Sequence, residues 1–498
     1  MATFGTVTLS ERRRSAVIVA TILALVAVRL VCAAAIPLSF EEGTYWVYSQ
    51  HIGAGYFDQP PIEPILIRLS TTLFGNNEFG VRAIGVLLAL PATWAVWRAG
   101  TILFDEAVGA RAALYFNLTL VMAAGSIIAT PDGPLVAATA LLVLALAKLL
   151  ATARAEWWLV IGVVFGLGIL SKYTMFLFAA SIFVWLLLVP EMRKWPVTPW
   201  PWFGGLIALA MFSPTLWWNA EHSWSSARFQ FGRMVVHEWE SRYFFEYILG
   251  QIGMATPAVF VLGVMGLAAN LKGEGGPRGA RILINAMVWP IVIFFAWHSF
   301  HDRVQGNWPE PIFVAFAIAA AVAVERVEWD GVWKHAEWWS RRLAVPTGLA
   351  IAAGIYLQAA FGIVPLGQID PTARAVGAGW KELGAKLDDV RMQLGAPIVL
   401  GTDHAVTGWL AFYLPSHPPV EQINERIRYA NAPEPDPALF RGPIMFVCAG
   451  ECDVEMLQRR FATVDRVTSL QRTRRGVPIQ DFSVYRVSGP IGPPLDPR

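Results

Sequence analysis

Long apolar runs recur along this chain too often for a water-soluble fold. Ala16 to Ile36 is the first, roughly 21 residues, enough to cross a hydrocarbon core of about 30 Å. The basic run ERRRS at 11–15 precedes it and no clear cleavage site follows, so it reads as a span rather than a removable signal. Further runs lie at about 80–100, 110–128, 132–151, 156–171, 174–190, 201–219, 246–270, 281–299, 309–326 and 343–362. Together they predict roughly 11 spans. Composition agrees. The chain is 55% hydrophobic and 15% charged, where soluble proteins carry about 25% charged residues. Many of the 22 Trp stand near the ends of runs, where amphipathic aromatics favour the headgroup region. Pro64 to Phe74 is apolar but too short to span, and predicts an interfacial helix.

Lys and Arg in the short loops set the orientation. With Arg12–Arg14 cytoplasmic, so are Arg98 and Arg111, Lys148 and Arg154, Arg193 and Lys194, Lys272, Arg278 and Arg281, and Arg326, Lys334, Arg341 and Arg342. The alternate junctions, 37–79, 129–131, 171–173, 219–245 and 300–308, then lie outside. They hold the unusual polar chemistry. After Leu357 the composition changes. A transmembrane part at 1–363 is followed at 364–498 by a small α/β domain, also outside, with strand-like pieces at 396–402, 443–448 and 481–487 and a helix at 381–394. Cys32 reads as an apolar core residue. Cys448 and Cys452 have no neighbouring ligand pair for zinc. They read equally as a small-loop disulfide or as two free thiols.

The densest outer stretch is FEEGTYWVYSQHIGAGYFDQPPIEPILIR at 40–68. Glu41 and Glu42 sit beside Tyr45, Trp46 and Tyr48. They could simply favour the positive end of a helix. Aromatic surroundings would also raise a carboxylate's pKa and make it a better base near neutral pH. Pro60-Pro61 forces an extended chain and a firm turn, which would aim Asp58 towards Glu41, with Gln59 beside it. Asp132 either caps a span or serves the site. Lys172 is a lone cation in a short outer turn, suited to phosphate. His222 lies in a Trp-rich loop that runs on to Arg228, Arg233 and His237. The last outer loop concentrates His301, Asp302, Arg303 and Asn307, of which Arg303 suits bidentate phosphate binding. There is no phosphate-binding loop and no dinucleotide fingerprint. A sugar donor would therefore arrive in the membrane, linked to lipid.

These residues carry a resemblance. The run LSFEEGTYWVYSQHIGAGYFDQPPIEPILIRLSTTLFGNNEFGVR, followed by ATPDGPL at 129–135, LSKYT at 170–174, SPTLWWNAEHSW at 213–224 and NWPEP at 307–311, resembles membrane glycosyltransferases of the dolichyl-phosphate-mannose protein mannosyltransferase type. These include bacterial lipid A aminoarabinose and galacturonosyl transferases. The resemblance covers about 1–330. It implies the GT-C fold, about 11–13 transmembrane helices and a periplasmic C-terminal domain. Two departures stand out. The family's Asp-Glu is Glu41-Glu42 here, and its Asp-His-Pro-Pro is Asp58-Gln59-Pro60-Pro61.

The resemblance implies an inverting transfer from a polyprenyl-phosphate sugar to lipid A, lipopolysaccharide or another envelope acceptor, at the periplasmic face of the bacterial inner membrane. Glu41, Glu42, Asp58 and Asp132 would be catalytic, Lys172 and Arg303 would hold the donor phosphate, and Tyr45, Gln59, His222, His301 and Asn307 would bind substrate. No cofactor or metal is required, nucleic acid is no partner, and a monomer is expected. The alternative is a non-catalytic protein that binds or transports lipid-linked sugar.

Overall fold

The computed structural model describes residues 9–233 and 239–498, with side chains from Ser15 onward. The side chains of Arg12–Arg14, and His237 as a whole, lie outside the described residues. α1 (Leu9–Ala35) leads into the first loop, which folds as α2 (Phe40–Gln50) and α3 (Ile62–Phe74). Then follow α4 (Glu78–Leu87), α5 (Ala89–Leu103), α6 (Glu106–Leu118), α7 (Asp132–Thr152), α8 (Trp157–Ser171), α9 (Leu177–Leu188), α10 (Trp200–Glu221) and α11 (Ser225–Gly232). The membrane part ends with α12 (Ser241–Ala255), α13 (Pro257–Lys272), α14 (Arg278–Ala286), α15 (Trp289–His298), α16 (Phe313–Glu325) and α17 (Gly331–Phe361).

Five helical stretches among the described residues are long and apolar enough to span: Ser15–Ala35, Glu78–Leu103, Asp132–Thr152, Arg278–His298 and Gly331–Phe361. Two bent pairs raise the number to at most seven. This falls short of the roughly 11 spans expected from apolar runs, because an apolar run need not be one straight helix. The run at 246–270 breaks at Thr256, where φ is +65° and α12 meets α13 at 103°. The run at 174–190 turns through 108° before Pro190. α8 is apolar but only 15 residues long. The expected interfacial helix is α3. It buries Glu63, Ile67 and Ser70 and exposes Ile65, Leu69 and Leu73.

The C-terminal part carries one mixed sheet, in the order β2-β1-β3-β5-β4. Its strands are β1 (Val399–Gly401), β2 (Val420–Gln422), β3 (Ile444–Ala449), β4 (Phe461–Arg474) and β5 (Val477–Pro490). β1 is parallel to β2 and β3, while β5 is antiparallel to β3 and β4. The strand-like pieces read from sequence are β1, β3 and the middle of β5, and the expected helix is present at Trp380–Leu394. β4 was not expected, since its residues are largely exposed and lack an apolar run. Cys448 and Cys452 are joined as a disulfide, which resolves the two readings left open above.

The first loop is folded by a buried hub. Ser39 and Glu42 form a reciprocal capping box that starts α2. Both Glu42 oxygens also accept from Arg82 of α4, at 2.6 and 2.7 Å. Ala129 N–H, just before α7, donates to the same carboxylate at 2.9 Å. Arg82 donates further to the carbonyls of Ala33, Ile36 and Pro37, which would otherwise be orphans at the end of α1. Both side chains are fully buried. α2 then docks on the C-terminal domain through a glycine pair. A Cβ on Gly43 would lie 2.9 Å from the Gly408 carbonyl carbon, and one on Gly408 would lie 2.6 Å from that of Gly43.

Truncating one partner of a buried ion pair costs about 3–5 kcal/mol, because the other charge stays behind unpaired. Glu42→Ala is therefore expected to lower the unfolding temperature of the detergent-solubilised protein sharply. Glu78→Gln, at a partly exposed carboxylate nearby, leaves it almost unchanged. Thermal unfolding of the two variants side by side checks this.

Candidate functional site

The outer junctions converge. Asp132 is the first residue of α7, and Lys172 follows the last turn of α8. Lys172 Nζ lies 2.5 Å from Asp132 Oδ1, with both side chains 8% exposed. Asn307 Nδ2 donates to the other Asp132 oxygen at 2.9 Å. Asp132 makes no capping bond to its own helix. Its carboxylate is spent on Lys172 and Asn307, so the capping role weighed from sequence is not the one it plays.

Glu41 differs from Glu42 and Asp58 in the same loop, and from the buried Glu63 in its exposure. It makes no hydrogen bond or ion pair with a described residue and keeps part of its surface accessible. Burial pushes its carboxyl up to about 7, and the charge of Asp132 adds to this, while Lys172 pulls the other way and Asp58 and Glu42 push up again. A half-buried, unpartnered carboxyl near neutrality can take up a proton. Glu42, expected among the catalytic acids, has both oxygens engaged by Arg82 and one also by Ala129, which ties it to the fold hub.

Asp58 accepts from Tyr48 Oη at 2.7 Å and pairs with Arg428 of the C-terminal domain. Gln230 Nε2 donates to the Asp58 carbonyl at 2.5 Å. Tyr45 is buried, edge-on to Tyr48 at 5.8 Å. Gln59 is 9% exposed and its Oε1 has no hydrogen-bond partner among the described residues.

Gln59 and Lys172 open onto a cavity of about 400 Å³. Its walls are mainly aromatic and aliphatic, with Phe176, Phe212, Phe231, Phe294 and Trp308 among them. Arg233 also lines it, its guanidinium 4.2 Å from the Phe229 ring, with no carboxylate partner among the described residues. A second cavity of about 690 Å³ has a mixed polar and apolar lining and lies against the C-terminal domain, bounded by Phe57, His222, Arg228 and Ile427. α11 is the wall between them. Ala227, Gln230 and Phe231 face the apolar cavity, while Ser225, Arg228 and Phe229 face the mixed one.

Three expected substrate groups stand elsewhere. Arg303 is 72% exposed and paired with Glu246 at 2.9 Å, so it is not positioned as the phosphate ligand. Arg233, not Arg303, lines the apolar cavity. His301 sits edge-on to Trp239 and tilted against Trp297, with Nδ1 3.1 Å from the Trp297 carbonyl. In both cases the loop turns its polar residues outward after His298. His222 stacks on Trp218 at 4.1 Å and borders the second cavity rather than the Asp132–Lys172 pair.

The sequence reading missed three carboxyl or guanidinium groups. Glu310 is 4% exposed and borders, with Asp132, a pocket of about 20 Å³. Its place in NWPEP, at the mouth of a span, was the available signal. Glu63 of α3 is 2% exposed, and burial holds its carboxyl well above the usual range, reinforced by Glu42 and Asp132. Arg428 lies 370 residues from Asp58, with no local signal at all.

The family model described as dolichyl-phosphate-mannose-protein mannosyltransferase matches residues 58–218. The lipid A galacturonosyltransferase RgtD of Rhizobium johnstonii is 26% identical over 287 residues. That match spans 56% of this chain and 59% of the relative, less than two thirds of its length. ArnT from Cupriavidus metallidurans, solved bound to undecaprenyl phosphate, superposes with a TM-score of 0.64 at 16% identity, over 97% of this chain and 99% of that one. Its apo structure gives 0.62 at 17% identity, with the same coverage. The chain therefore shares the fold of ArnT, the GT-C fold expected from its motifs, with a small C-terminal sheet domain.

A carboxyl whose pKa is raised in the folded state binds protons that the unfolded chain has released. Stability is then lost as pH rises from the ordinary value near 4.5 through about 7. Melting temperature is expected to fall over that interval, and Glu41→Gln to flatten the fall. A melting series from pH 5 to 8 on both proteins checks this.

Proposed function

We propose that this chain, with the fold and sequence likeness of lipid-linked-sugar glycosyltransferases, transfers a sugar from a polyprenyl-phosphate donor to a lipid A-like acceptor. The observation that carries the reading is the pairing of an unpartnered Glu41 with a buried Asp132–Lys172 pair at the mouth of an apolar cavity. The cavity suits a prenyl chain. The acceptor hydroxyl attacks the anomeric carbon as the bond from that carbon to the phosphate oxygen breaks, and configuration inverts. The hydroxyl proton passes to Glu41. Negative charge grows on the departing phosphate, beside Lys172 and Arg233, where fixed cations in a dry site stabilise it most. Gln59 and Asn307 hold the sugar-side groups, and Tyr45 packs the loop beneath them. Phosphate leaves readily, so no metal or other cofactor is called for. The second cavity, with its mixed lining, is the acceptor's approach.

On this reading the site and the C-terminal domain lie outside the inner membrane; the charge pattern of the junctions supports that side, and the Cys448–Cys452 bond supports an oxidising compartment. A lipid A acceptor rests on the likeness to RgtD. The protein acts as a monomer on this reading.

Transfer from radiolabelled polyprenyl-phosphate sugar in membranes tests the assignment. Glu41→Gln is expected to lose about 10²–10⁴-fold in rate, the range for removing a general base. The wild-type rate should climb as pH rises through about 7, where Glu41 gives up its proton. Full activity in Glu41→Gln removes Glu41 from the base role. Lipid bound without turnover in the wild type favours the non-catalytic alternative. Mass spectrometry of envelope glycolipids from cells with and without the gene names sugar and acceptor together.

The two arginines separate cleanly. Arg233→Ala should weaken undecaprenyl phosphate binding by about tenfold or more, the loss of one charge-assisted hydrogen bond of about 1.5–3 kcal/mol, whereas Arg303→Ala should leave it unchanged. Lipid titration followed by intrinsic Trp fluorescence reads both.

A further inference from the structure

Residues 52–60 carry Asp58 and Gln59, yet no backbone–backbone hydrogen bond among the described residues fixes them. Side chains from elsewhere do so instead. Thr215 Oγ1 donates to the Ala54 carbonyl at 2.7 Å, and Gln230 holds the Asp58 carbonyl. The largest group of such contacts comes from one short stretch of the C-terminal domain. Arg428 Nη1 donates to Asp58 Oδ1, and its Nε donates to Glu425 at 2.9 Å. The guanidinium is 8% exposed and lies 4.9 Å from the Phe57 ring centroid. Asn431 Nδ2 donates to the Gly55 carbonyl at 2.9 Å, and Asn431 Oδ1 accepts from Trp218 Nε1 of α10 at 2.8 Å. A Cβ on Gly53 would lie 2.3 Å from Asn431 Nδ2, so the two segments touch directly.

We propose that Arg428 is a positioning residue of the transfer reaction, through which the C-terminal domain holds Asp58 and Gln59 at the mouth of the donor cavity. This rests on the transferase reading given above. The domain is then a working part of the site rather than an appendage. The Asp58–Arg428 pair is largely screened from water, so its geometry is worth more than that of a surface bridge. Arg also holds the carboxylate in one orientation, which a point-charge Lys does not reproduce fully. Loss of Arg428 leaves the charge of Asp58 uncompensated. That charge already acts on Glu41 alongside Asp132, Lys172 and Glu42, so the acidic limb of the rate profile should move upward.

The test uses the full chain in lipid nanodiscs. In Arg428→Gln, kcat for transfer from polyprenyl-phosphate sugar should fall about 100-fold, the scale of a catalytic group displaced by about 1 Å. KM for the donor should change little, and the acidic limb should lie above that of the wild type. Arg428→Lys should recover part of the rate. Hydrogen exchange at 52–60 should rise in Arg428→Gln while α1 and α7 stay protected. An unchanged kcat overturns the proposal, as does a lost kcat with exchange at 52–60 unaltered, or Lys no better than Gln. If the wild type transfers no sugar, the transferase reading fails by itself. The exchange experiment still decides whether Arg428 holds the loop, and unaltered exchange there overturns it too.

Discussion

A single buried ion pair sets where everything else can be. Glu42 and Arg82 bring together the end of α1, the start of α2, the middle of α4 and the approach to α7. Two unpaired charges in that position would be very costly, so the hub forms complete or the region does not fold. Its geometry delivers the site. Glu41 is the neighbour of Glu42 on the same helix turn and so is presented on another face. Asp132 follows three residues after Ala129, whose N–H is tied to the hub. One acid of the Glu-Glu pair is spent on structure so that the other is left free.

The site balances opposing charges. Asp132 is bonded to Lys172 and Asn307, and its charge raises the Glu41 carboxyl after burial has done so first. Lys172 does two tasks in one position. It neutralises Asp132 and faces the apolar cavity, where an anionic headgroup needs a cation. Two further buried carboxyls lie near Asp132: Glu310 borders a small pocket with it, and the charge of Asp132 acts on Glu63. Such a set suits a hydroxyl-rich ligand, since carboxyl and carboxylate groups accept sugar hydroxyls well.

Much of this was legible in the sequence, for physical reasons. Asp132, Lys172 and Asn307 are rare polar residues at the ends of apolar runs, and such residues seldom stand there idle. Their charge-alternating junctions put them at one end of the bundle together. The division of labour within Glu41-Glu42 was not legible, because it depends on Arg82, 40 residues on. Arg303 and His301 looked right by residue type but lie on a loop that turns outward. Apolar periodicity also could not reveal that 246–270 bends at Thr256, since a break needs only one residue in an unusual conformation. Arg428 was beyond reach because a contact across 370 residues leaves no local trace.

α11 is eight residues long and has a chamber on each side. A wall that thin cannot be displaced towards one chamber without enlarging the other. Residues two or three apart on this one helix belong to different chambers, so a substitution on one face of α11 changes the lining of one chamber and leaves that of the other in place.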